Sequence, residues 1–128
     1  MSEVVAFLAG HAGDPVCRLV TRGRVSGREH DVEIWFGVLP GTADVCFIAG
    51  NGPTCDWYRN AIAAGQATVR IGGRTLTGDA RDAVGDERRR LGEILGAKHR
   101  GWGGDPDIGL TEDAWTWDVP ALVVRFEG

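Results

Sequence analysis

Short runs of alternating apolar and polar residues, each five to nine residues long and ended by glycine or proline, set the tightest limit on how this chain folds. In Asp31–Leu39, Val32, Ile34, Phe36 and Val38 share one face, while Asp31, Glu33 and Trp35 share the other. Ala67–Ile71 alternates in the same way, and Gly72-Gly73 turns it back into Arg74–Arg81. Val16–Thr21, Val45–Ala49 and Val119–Phe126 complete about six short strands. Two helical stretches interrupt them. One starts with Thr54 or Asp56 as cap, buries Trp57, Ala61 and Ile62, and stops at Gly65; the other is capped by Asp86 and has Leu91, Ile94 and Leu95 as its stripe. Val4–Leu8 predicts a short helix in an N-terminal extension over residues 1–14, and Thr111–Thr116 a helical turn. So few helices between strands argue against a doubly wound parallel sheet. The expectation is a mainly β, antiparallel barrel or open sandwich, with residues 1–128 as one domain.

Composition narrows the function. With 14 Lys and Arg against 18 Asp and Glu, the net charge of −4 is the wrong sign for a typical nucleic-acid binder. No apolar run reaches membrane-spanning length, so no integral membrane contact is expected. The start, Met1-Ser2-Glu3-Val4-Val5, lacks the basic head of a secretory signal, and cytoplasm is the expected compartment. Cys17, Cys46 and Cys55 are odd in number and form no C-x-x-C pair, so buried thiols are expected rather than disulfides. His11, His30 and His99 match no metal spacing, and Ser26 lies in no G-x-S-x-G elbow; no metal site is expected. Asp105, Asp107, Glu112 and Asp113 read as solvated or helix-capping carboxylates.

Two bends could hold an anion. Arg22-Gly23-Arg24-Val25-Ser26-Gly27-Arg28 packs guanidiniums, a hydroxyl and flexible glycines into one turn, and arginine forks suit phosphate oxygens; a solvated polar hairpin is the plainer reading. Gly50-Asn51-Gly52-Pro53-Thr54 runs from a strand into a helix, a geometry that aims amides at a ligand. Five tryptophans against one tyrosine suggest walls for a flat molecule, or core packing. Anion-binding turns and aromatic walls without an evident nucleophile, base or metal suit a protein whose chemistry comes from a bound cofactor.

Leu19-Val20-Thr21-Arg22-Gly23-Arg24-Val25-Ser26-Gly27-Arg28 followed by Val32-Glu33-Ile34-Trp35-Phe36 resembles the deazaflavin-dependent nitroreductase family, split β-barrel proteins typical of actinobacteria that bind coenzyme F-420. Gly50–Gly52, Trp57 with Asn60, Thr68–Gly73 and Ala121–Val124 follow in the family's order, and Lys98–Trp102 is similar to a stretch found in one branch. The resemblance implies that Arg24, Ser26, Gly27 and Arg28 hold the phosphate or acidic tail. It implies that Val32, Glu33, Ile34 and Trp35 run beside the ring, and that Ala49, Gly50, Asn51 and Gly52 close on it. Trp57 and Asn60 would fix that loop, and Tyr58, His99 or solvent would supply a proton. Val25 stands where many members have lysine. The implied activity is hydride transfer to a small quinone, nitro compound or enone, with FMN as the alternative cofactor and a non-catalytic F-420 or haem carrier as the alternative function. Such barrels often pair as homodimers, through Trp35, Trp115 or Trp117 here.

Overall fold

The structure, a computed structural model, describes residues 2–127. Met1 and Gly128, the ends of the single-domain expectation and the first residue of the expected extension, lie outside the described residues. In chain order the elements are α1 (Glu3–His11), β1 (Cys17–Arg22), β2 (Glu29–Ile34), β3 (Gly37–Val38), β4 (Asp44–Ile48), α2 (Asp56–Ala64), β5 (Gln66–Ile71), β6 (Arg74–Asp82), α3 (Gly85–Lys98), α4 (Glu112–Trp117) and β7 (Ala121–Arg125). The strands form one sheet in the order β2-β1-β5-β6-β7-β4-β3, with every neighbouring pair antiparallel.

That order dictates the shape. β2 and β3 are the two edges of the sheet, yet only Trp35 and Phe36 lie between them. Three Cα steps reach at most about 11 Å. The sheet must therefore curl until its edges almost meet, which makes it a split β-barrel with its seam at Trp35-Phe36.

Alternation along each strand fills the interior. Leu19 of β1, Val45 and Phe47 of β4, Val69 of β5, and Leu122 and Val124 of β7 are fully buried in one cluster with Phe36. The register sets Leu19 against Val69 and Val45 against Val124. Burying each such side chain stabilises the fold by roughly 1.5–3 kcal/mol. α1 packs at one end: Leu8 is fully buried in the core, and Arg74 at the start of β6 reaches Glu3 at 2.8 Å and lies 4.6 Å over the Phe7 ring. α2 packs at the other, where the Ala80 amide donates to the Gly65 carbonyl at 3.0 Å.

β4 and β7 are buried on both faces. Cys46, Ile48, Ala121 and Val123 point away from the interior into a second cluster with Leu91 and Leu95 of α3 and Trp115 of α4. Gly92 lets α3 lie against α4, since a Cβ there would collide with the Thr116 carbonyl.

Several details differ from the sequence reading. Asp31–Leu39 is two strands, because the chain leaves one sheet edge and joins the other at Trp35-Phe36; this raises the strand count to seven. Thr54, Asp56 and Asp86 do not cap their helices: the N-cap positions are Cys55 and Val84, neither with a side-chain capping bond. Ile62 is exposed. Trp57 and Ala61 are one helical repeat apart and share the buried face, which carries Asn60 beside them, while Ile62 lies about 100° beyond Ala61. α1 extends past Val4–Leu8 to His11 and contributes to the core.

Candidate functional site

The seam carries the one large aromatic cluster among the described residues. Trp35 stacks on His99 with ring centroids 4.2 Å apart and planes 6° from parallel. Trp102 and Trp115 meet Trp35 edge-on at 5.6 and 5.7 Å, and each other at 5.4 Å. Beside this cluster opens a cleft of about 250 Å³. One wall comes from the barrel: Ile34, Trp35, Ile48, Gly50, Asn51 and Trp57. The other comes from the segment after α3: Trp102, Asp105, Ile108, Leu110 and Trp115.

Each tryptophan of the cluster is held by an ionisable residue behind it. The Lys98 ammonium donates to the Phe36 carbonyl at 2.8 Å and sits 3.7 Å over the Phe36 ring, pinning the seam next to Trp35. The Arg88 guanidinium donates to the carbonyls of Trp115, Thr116 and Val119 at 3.2, 2.8 and 3.0 Å, which ties down the end of α4. The Glu112 carboxylate accepts from the amides of Gly101 and Gly103, the two neighbours of Trp102. Lys98 is half-buried, and desolvation pushes its pKa down. Desolvation, followed by the charge of Lys98, does the same to His99, favouring a neutral imidazole. The Nε2 atom of His99 and the Nε1 atom of Trp102 are buried without a partner among the described residues.

The glycine loop leaves amides free at the cleft. The Ala49 amide donates to Pro120 and the Gly52 amide to Ala49, but those of Gly50 and Asn51 have no partner among the described residues. Two free donors beside an aromatic wall suit the polar edge of a flat heterocycle, so the residues present fit a flavin-like ring.

The arginine turn is built differently. It is exposed, with Val25 93% accessible. The Gly23 amide donates to Arg28, Gly27 to Gly23, and Arg28 to Ser26 Oγ, closing the turn on itself. Arg24 is anchored to α2: its backbone and guanidinium both donate to buried Asn60, at 3.2 and 2.7 Å, and Asp56 lies 3.6 Å away. Arg22 donates to the Gly27 carbonyl. Arg28 has no side-chain partner among the described residues. The Gly50–Cys55 loop runs into Asp56, so both bends meet the first half of α2. The turn's side chains do not line the cleft.

Thus Ile34, Trp35, Gly50, Asn51 and Trp57, expected from the sequence, meet in one cleft. Ala49 is buried beneath it, and Gly52 turns the loop with φ 79°. Val32 faces the barrel interior, and Glu33 lies over a neighbouring depression with Val16 and Ile48. His99 backs Trp35. Tyr58 is not brought to the cleft: its hydroxyl donates to Asp82 at 2.7 Å, and burial together with that carboxylate raises its pKa to about 12. Trp115 is buried, which removes it as a surface contact, whereas Trp117 is exposed. Sequence reading missed Ile48, Leu110, Arg88 and the clamp made by Glu112. Only pairing of distant segments brings them in, and no spacing along the chain announces it.

Residues 3–103 match the F420H(2)-dependent quinone reductase family, and the chain belongs to it. No match was found among curated proteins. Among solved structures, an F420-H2 dependent reductase (FDR-A) superposes with TM-score 0.66 at 21% identity, covering 88% of this chain and 95% of its own. The conserved hypothetical protein Rv2991 from Mycobacterium tuberculosis gives 0.70 at 17% identity, covering all of this chain and 82% of its own. A heme binding protein from Mycobacterium smegmatis gives 0.67 at 17%, with 98% and 50% covered. At these identities the likenesses concern the fold. Among the described residues no helix is long and apolar enough to cross a membrane.

Proposed function

We propose that this protein uses reduced coenzyme F-420 to reduce a small, flat, electron-poor acceptor of the quinone class. The observation that carries the reading is the cleft itself, which joins aromatic walls from the barrel seam and from the segment after α3 to the free amides of Gly50 and Asn51.

When bound, the deazaflavin supplies a hydride. The chain binds, orients and excludes water. The Gly50 and Asn51 amides would hold polar atoms of the ring. Ile34, Trp35 and Trp57 would support the ring, and Trp102, Leu110 and Trp115 form the opposite wall of the cleft. Arg28 and the Ser26 hydroxyl would hold the acidic tail at the arginine turn, and Arg24, bonded to Asn60, holds that turn in place. Asp105, the one charged residue on the cleft wall, disfavours an anionic acceptor there. His99 is kept neutral and packed on Trp35, and Tyr58 is engaged with Asp82. The proton that completes reduction therefore comes from solvent at the cleft mouth.

Fluorescence titration with F-420, followed by mixing of the reduced coenzyme with a simple quinone, tests this. Micromolar binding and quinone-dependent oxidation are expected. Competition with FMN separates the two cofactors. A second reading, a carrier of a planar anion such as haem, draws support from the unpartnered Nε2 of His99. Binding with no oxidation by quinones, nitro compounds or enones would favour the carrier, as would a haem absorbance band lost in His99→Ala.

A further inference from the structure

Trp102 closes the cleft from an unusual support. Its neighbours Gly101, Gly103 and Gly104 all have positive φ, at 85°, 88° and 85°, and no helix or strand holds them. Such backbone loses much entropy on ordering, and left untied it would let the indole wander. Two features tie it. Asp105 and Leu110 exchange backbone hydrogen bonds at 2.7 and 2.9 Å, and Gly104 permits this because a Cβ there would lie 2.5 Å from the Leu110 carbonyl. The second tie is Glu112. One carboxylate oxygen accepts from the Gly101 amide at 3.0 Å and the other from the Gly103 amide at 2.8 Å, so a single side chain grips the residues on both sides of Trp102.

Glu112 is itself well placed to do this. It opens α4, whose Thr111 hydroxyl caps the helix by accepting from the Ala114 amide at 3.0 Å, and a carboxylate is favoured in a first helical turn. It does not line the cleft. It faces the groove between α3 and α4, with Glu93, Arg100 and Asp113 around it. Its two bonds to the loop, ahead of the nearby Arg100, hold its pKa down. It also lies beyond the residues matched to the family, in the segment that supplies the cleft's second wall.

We propose that Glu112 is a positioning residue that fixes Trp102 as the cleft's outer wall, and so sets the preference for flat aromatic acceptors over small ones. The proposal rests on the reading of this cleft as the place where coenzyme and acceptor meet. Gln at this position keeps one accepting oxygen and grips one amide; Ala grips neither. Wild type is compared with Glu112→Gln, Glu112→Ala, Trp102→Ala and the double variant, using a bicyclic and a monocyclic quinone. The expected result is a graded rise in KM for the bicyclic quinone, about tenfold for Glu112→Ala and less for Glu112→Gln, with kcat and F-420 affinity within about twofold. In the Trp102→Ala background, Glu112→Ala adds nothing. Acrylamide quenching of tryptophan emission rises in Glu112→Ala and Glu112→Gln, and that added quenching disappears without Trp102. Unchanged quenching and an unchanged KM ratio in Glu112→Gln, the variant least prone to misfold, overturn the proposal. Absence of F-420 binding by the wild type counts against the functional reading alone, and quenching then still decides what Glu112 does.

Discussion

The cleft and the arginine turn both touch the first half of α2, but opposite physics holds them. The cleft is an extension of the core. Trp115 and Ile48 belong to the buried cluster under α3 and α4, and the tryptophans are braced from behind by Lys98, Arg88 and Glu112. The turn is surface. It bonds the amides of Gly23, Gly27 and Arg28 within itself, buries nothing of size and is fastened by Arg24 to Asn60. A braced aromatic wall suits recognition of a ring by shape, because most of its ordering cost is met by folding. An exposed turn with a free guanidinium suits a flexible polyanion, where charge matters more than fit.

The largest expected effect tests that division directly. Trp115→Ala should destabilise the fold by about 3–5 kcal/mol, as large-to-small changes in a packed core do. Val25→Ala in the turn should fall within about 0.5 kcal/mol. Denaturant unfolding of both variants measures the contrast; similar losses would mean the two regions are not energetically distinct. Next is Arg28→Ala. Stability should hold, while F-420 affinity falls about tenfold, or roughly 1.4 kcal/mol, and becomes less salt-dependent than that of the wild type. If Arg24→Ala alone weakens binding, the tail contact belongs to Arg24.

A subtler contrast concerns pH. His99 has its pKa lowered in the folded protein by burial and then by Lys98. Below the ordinary histidine value of about 6.5 the unfolded chain takes up a proton that the folded chain resists. Stability should therefore rise with pH between the folded value and about 6.5, and His99→Phe should flatten that stretch of the profile. Glu112 acts in the same direction, in the more acidic carboxylate range. Its carboxylate, lowered by the Gly103 and Gly101 amides, adds stability above its unfolded value, and this is lost as pH falls through the folded one.

These differences explain what the sequence made legible. Alternation named Ala67, Val69 and Ile71 of β5 and Leu122, Val124 and Phe126 in and after β7 as sharing an inward face, and all six lie in the barrel core, because residues two apart on a strand share a face. It did not reveal the break at Trp35-Phe36. That break is a property of the whole sheet, whose edges must meet, and the residues keep alternating through it. Of the cleft's barrel wall, Trp35, Gly50 and Asn51 stood out in the sequence as a strand face and a glycine-rich loop, while Ile34 and Trp57 came in only with the family resemblance. The opposite wall did not stand out. Glu112 looked like an ordinary first-turn carboxylate, and nothing local says that its partners are amides nine and eleven residues earlier.

Tyr58 gives the smallest effect and the sharpest check on the cleft's boundary. It is the only tyrosine of the chain and lies one residue from Trp57, so residue type alone makes it a natural proton donor. On a helix, adjacent residues point about 100° apart. Trp57 enters the cleft, and Tyr58 swings to β6, where it donates to Asp82. A phenol with its pKa raised to about 12 keeps its proton through neutral pH, and that proton is aimed at a carboxylate rather than at an acceptor in the cleft. Tyr58→Phe should cost at most about 1 kcal/mol of stability, the net worth of one partly exposed hydrogen bond. Its kcat for quinone reduction should stay within about twofold of the wild type, with an unchanged solvent isotope effect. A drop of about a hundredfold in kcat with normal F-420 affinity would place a proton donor at Tyr58 after all, and would require α2 to turn during catalysis so that the hydroxyl exchanges Asp82 for the cleft.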